Sequence, residues 1–105
     1  MEIKFQLVLQ MTGNSLEDYD KLIEFEEEII NGLGSNGIVD GHDAGSGEMN
    51  IFILTDRSES VFEAVKQLPA AHHFMAHLRA AFRRYKEKGK FTILFPPGLT
   101  RFAIL

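Results

Sequence analysis

The segment VDGHDAGSGEMNIFIL, Val39 to Leu54, decides the fold. Its first part mixes Asp, His and Gly, and its last part is almost wholly apolar. Between them sits AGSG, a cluster of turn formers. Two extended stretches, 37–43 and 48–55, around such a loop read as a β-hairpin. The returning stretch MNIFILT is apolar on both faces near its middle, which places it inside a sheet.

The chain before the hairpin supplies a strand and a helix. Residues 2–11 alternate, with Ile3, Phe5, Leu7, Leu9 and Met11 on one side and Lys4, Gln6, Val8 and Gln10 on the other. Period two over this length is a strand with one buried face. Asn14 with Glu17 reads as a capping box. Residues 15–31 then carry Leu16, Tyr19, Leu22, Ile23, Ile29 and Ile30 at helical spacing, opposite an acidic face. NGLGSNG ends that helix. It matches a dinucleotide fingerprint in form only, because it follows a helix and precedes a strand.

Behind the hairpin, Asp56 with Glu59 reads as a second capping box, and Val61, Phe62, Val65 and Leu68 as a short helix closed by Pro69. Residues 70–88 read as a further helix with Phe74, Met75, Leu78, Ala81, Phe82 and Tyr85 on its apolar stripe. KFTILF is a strand and PPG a turn, and TRFAIL offers a short last strand. One domain spanning 1–105 is expected.

The order β-α-β-β-α-α-β predicts an α+β two-layer sandwich. Its antiparallel sheet has four strands, or five with TRFAIL, and its helices cover one face. VDGHDAGSGEMNIFILTD together with FTILFPPGL resembles small bacterial ferredoxin-like domains of no assigned function. The resemblance covers most of the chain and implies the ferredoxin-like fold. Its motifs are structural, and it carries over no catalytic residue.

Composition narrows the chemistry. The chain has no Cys, which excludes disulfides, thiolate metal sites and thiol catalysis and fits a reducing compartment. No apolar run reaches the roughly 18 residues of a membrane span. A cytoplasmic protein without membrane contact is expected. Residues 1–50 hold two basic and eleven acidic side chains, net −9. Residues 51–105 hold nine basic and four acidic, net +5, giving −4 overall. Such asymmetry favours an electrostatically guided contact.

Three clusters are candidates for function. At the hairpin, Asp40 and His42 share one strand face, Asp43 lies on the other, and Glu48 stands across the loop. The four suit a divalent metal or acid–base work, although Asp and Gly are also what a tight turn requires. In AAHHFMAH, His73 and His77 lie four apart but lack the Glu of a zinc-protease helix and any third ligand nearby. On the expected helix 70–88, His72, Arg79, Arg83 and Lys86 share a face, with Arg84 on its flank and Lys88 and Lys90 following. Arg79, Arg83 and Arg84 suit carboxylate or phosphate.

No complete catalytic constellation and no cofactor or metal motif is present. The leading expectation is a non-catalytic interaction domain that pairs with itself as a homodimer or with an acidic protein, using a sheet face without helices or its charged helices. A small enzyme or ligand-binding protein built on Asp40, His42, Asp43 and Glu48 is the alternative. Nucleic-acid binding through helix 70–88 comes third, against the acidic net charge.

Overall fold

The computed structural model describes residues 1–87 and 89–104. Strand β1 (Phe5–Thr12) is followed by helix α1 (Leu16–Leu33), the hairpin β2 (Ile38–Gly45) and β3 (Glu48–Thr55), helix α2 (Ser58–Lys66), strand β4 (Arg79–Arg84) and strand β5 (Thr92–Phe95). The fold is α+β. One antiparallel sheet of five strands runs β2-β3-β1-β4-β5, so β1 lies at its middle and β3 inside it. No helix among the described residues is long and apolar enough to cross a membrane.

Alternation in β1 sorts the two faces. Leu7, Leu9 and Met11 are buried with Met49, Ile51 and Ile53 of β3 beneath both helices. α1 contributes Leu22, Phe25, Ile29 and Leu33, and α2 contributes Val61, Phe62 and Val65. Phe25 stacks on Phe74, ring centroids 5.8 Å apart, which fastens the segment after α2 against α1.

Helix ends differ from the capping boxes read in the sequence. Ser15, not Asn14, caps α1: its hydroxyl accepts from the Asp18 N–H at 3.1 Å. Asp18 completes the box by accepting from the Asn14 N–H at 3.3 Å. At α2 the N-cap is Arg57, with no side-chain cap. Asp56 pairs with the Arg57 guanidinium at 2.9 Å, and buried Thr55 organises the entry instead. Its hydroxyl donates to the Asn36 carbonyl at 2.7 Å and accepts from the Arg57 N–H at 3.1 Å.

The helix expected over 70–88 does not form. Pro69–His73 is a 3₁₀ turn, and Arg79–Arg84 is β4, paired along its whole length with β1. The physical reason lies in β1. Its middle is buried on both faces, so its second edge of N–H and C=O groups must meet another strand. Helix propensity of Ala and Arg, worth tenths of a kcal/mol per residue, gives way to that demand. Lys88, the end of the expected helix, lies outside the described residues. TRFAIL forms no strand over its described residues, 100–104, and Leu105 lies outside them.

Candidate functional site

The hairpin contains a feature that redistributes its side chains. Val39 pairs with Ile53 but Gly41 pairs with Phe52, so Asp40 is an extra residue in a β-bulge. Gly41 takes φ +113°, a conformation that suits glycine. Past the bulge, face parity reverses. His42 pairs with Ile51 and faces α1, whereas Asp43 pairs with Asn50 on the helix-free face. The loop itself is the two-residue turn Ser46–Gly47, both at positive φ, as primed hairpin turns require.

Asp40, His42, Asp43 and Glu48 therefore do not converge. Asp40 is exposed at the bulge. His42 joins α1: its Nδ1 lies 3.0 Å from Glu26 and its Nε2 3.2 Å from the Tyr19 hydroxyl. A carboxylate only accepts, so Nδ1 donates to Glu26, while Nε2 meets the Tyr19 hydroxyl at the other end of the ring. This chain ties β2 to α1. Glu48, paired with Thr12, and Asp43 share the helix-free face. Among the described residues no group of three His, Asp or Glu side chains is arranged to hold a metal ion. His73 approaches Asp18 at 3.5 Å, and the His77 Nδ1 faces the Thr12 hydroxyl at 3.0 Å, so the two histidines have separate partners.

The three arginines separate as well. Arg79 and Arg83 stand on the helix-free face, while Arg84 points the other way and pairs with Glu87 at 3.4 Å. Arg83 donates to Gln6 at 3.0 Å and its guanidinium covers the Phe91 ring at 4.6 Å.

What the structure assembles is a polar row across four strands. Asp43 of β2 pairs with Asn50 of β3, Asn50 with Gln10 of β1, and Gln10 with Arg79 of β4. Gln10 and Asn50 are each 2% exposed. The Asn50 amide donates to the Asp43 carboxylate at 2.8 Å, and the Gln10 amide donates to the Asn50 oxygen at 3.2 Å. Gln10 Nε2 also donates to the main-chain carbonyl of Ala103 at 2.8 Å. The carboxylate sets every orientation. It only accepts, so Asn50 must turn its NH₂ toward it and its oxygen toward Gln10. Gln10 must then present NH₂ to both acceptors. The relay ends as an N–H donor aimed at a peptide carbonyl. Gln10 Oε1 is left buried without a partner, as is one Glu48 oxygen.

The segment on that row is the chain's own C-terminal stretch. It leaves β5, reverses through a turn in which the Leu99 N–H reaches the Pro96 carbonyl at 3.3 Å, and returns over the sheet. Gly98 at φ +87° provides the left-handed position of the turn. Phe102 meets Phe91 edge-on, centroids 4.8 Å apart. The face expected to lie bare thus carries a strap. Val8 and Ala81, both on that face, are fully buried. Phe52 shares the face, while Leu94 packs with the core at an irregularity of β5.

Gln10 and Asn50 were not among the residues singled out from sequence. Asn50 did carry a signal, as the one amide in an otherwise apolar strand. Comparison with protein-family profiles, with curated proteins and with solved structures finds no match.

Proposed function

We propose that this chain is a ferredoxin-like, non-catalytic interaction domain that binds an extended polypeptide segment on its helix-free sheet face. The ferredoxin-like reading is supported by the order β-α-β-β-α-β for the first six elements, with strands arranged β2-β3-β1-β4 and β5 added at the edge. The binding reading rests on one observation: the Asp43–Asn50–Gln10 relay ends on the Ala103 carbonyl. A buried amide held by a carboxylate two strands away is oriented before any ligand arrives, and preorganised donors lose little on binding. Main-chain recognition of this kind depends little on side-chain identity, so the adjoining apolar row of Phe52, Val8, Ala81 and Ile93 would set the preference for residues flanking the bound carbonyl.

The test is titration of a labelled peptide with the sequence of residues 97–105 into the full chain, followed by fluorescence anisotropy. Saturable binding is expected. It should strengthen in Phe102→Ala, where the strap loses its contact with Phe91. It should weaken at least tenfold in Gln10→Ala whose circular dichroism is unchanged. Binding indifferent to Gln10 would remove the basis of the proposal.

A further inference from the structure

The strap meets its own sheet through the Gln10–Ala103 hydrogen bond and the Phe102–Phe91 contact. Over its described residues it forms no ladder there, its reversal is closed by the 3.3 Å hydrogen bond between Leu99 and Pro96, and Gln10 Oε1 is without a partner among the described residues beneath it. A cleft of about 530 Å³ separates its flank from β5, lined by Lys90, Phe91, Ile93, Thr100 and Phe102.

Geometry offers the same segment a second place to bind. β1 is the middle strand, so Gln10 stands two strand spacings, about 10 Å, from either edge of the sheet. A strap arriving from the β2 side reaches Gln10 as readily as one arriving from β5. Nine residues, 96–104, extend to about 30 Å at 3.3 Å each. That exceeds the shortest dimension of the molecule, 23 Å.

Charge selects how two copies would meet. On the helix-free face the acidic groups, Asp43 and Glu48, lie on β2 and β3. The basic ones, Arg79 and Arg83, lie on β4, with Lys90 and Arg101 around the cleft beside β5. Two sheets packed face to face about a two-fold axis perpendicular to the strands would set like edges together. An axis parallel to the strands sets the β5 edge of each copy over the β2 edge of the other, positive on negative. The second arrangement brings each strap onto its partner from the β2 edge, which lies as close to Gln10 as the β5 edge does.

We propose that the partner is a second copy of this chain: two helix-free faces meet about a two-fold axis parallel to the strands, and each copy lays its C-terminal segment on Gln10 of the other. This rests on the segment-binding reading above and names its occupant. The exchanged contact is the one already made within the chain, so the gain comes from the complementary edges, which meet only in the pair.

The native chain has no cysteine, so a pair of introduced thiols reports the path of the strap. Arg79→Cys, which stands beside Gln10 on the same row and leaves its amide in place, and Ala103→Cys are mixed and treated with a short bis-maleimide. Light scattering of the unmodified chain accompanies the mixture. A mass twice 11.9 kDa together with a covalent heterodimer is the expected result. A monomer throughout the micromolar range overturns the inference. So does a dimer in which only the double variant Arg79→Cys/Ala103→Cys reacts, closing within one chain. Either result leaves peptide binding untouched, so the two readings fail separately.

Discussion

Replacing Asp43 with alanine attacks the relay at its origin, where the side chain is exposed and no packing is lost. The direct loss is a 2.8 Å hydrogen bond from a buried amide to a carboxylate. Hydrogen bonds to charged groups contribute about 1.5–3 kcal/mol, and a buried donor left without an acceptor costs about 1–3 kcal/mol. These describe one event from two sides, so about 2 kcal/mol is expected, a fall in Tm of roughly 10 °C for a domain of this size. The loss should also propagate. Once Asn50 is free to turn over, it can present NH₂ to Gln10, which must turn in response and release Ala103. Asp43→Ala and Gln10→Ala should therefore be non-additive by about 1 kcal/mol or more in a double-mutant cycle measured by urea unfolding. Asp43→Asn keeps an acceptor and should recover over half the loss. Additivity within about 0.5 kcal/mol would refute a relay whose orientation is set from Asp43.

Thr55→Val keeps the shape of a fully buried side chain but removes both of its hydrogen bonds, and should lower unfolding free energy by about 2 kcal/mol in urea. Ser15→Ala removes the α1 cap, at a cost of about 1 kcal/mol by thermal unfolding. The Ser15 hydroxyl first, and the Asn14 N–H second, hold the Asp18 carboxyl below its usual range. That depression stabilises the fold above the unfolded carboxyl value near 4 and is lost as pH falls through the folded value. An NMR titration should show the Asp18 midpoint rising in Ser15→Ala, with a correspondingly smaller loss of stability as pH falls below the unfolded carboxyl value. Ser46→Asn, at φ +56° in the hairpin turn, should raise stability by a few tenths of a kcal/mol in the same urea assay.

β1 and both α-helices were legible because each bears one unbroken period, and the hairpin because turn formers sit between two extended stretches. β4 was not. RAAFRR fits neither period cleanly, and its own Phe82 continues a false spacing of four from Phe74 and Leu78 before it. What makes it a strand is the bare second edge of β1, a tertiary demand with no local trace. The candidate site was legible in part. Asp43 and Glu48 do share a face, and Arg79 and Arg83 join them there, but His42, Arg84 and Asp40 fall elsewhere. Strict alternation from Ile38 put His42 with Asp40, and one bulge, marked only by Gly41, undid that count. The strap reads from sequence as a short last strand, because whether an extended segment joins a ladder or crosses a sheet face leaves no trace in its own alternation.

The bulge at Asp40 behaves like a reading frame. Residues beyond it are assigned to faces by counting from it, so its position is information separate from the residues themselves. Were the extra residue to fall after Asp43, the imidazole would stand over the strap and the carboxylate would be turned into α1. The amide relay would have no anchor, and the tie between β2 and α1 would carry a second negative charge beside Glu26. Moving one residue of β2 a few positions along the strand would thus leave composition, length and mean hydropathy unchanged and yet exchange what the two faces of the sheet can recognise.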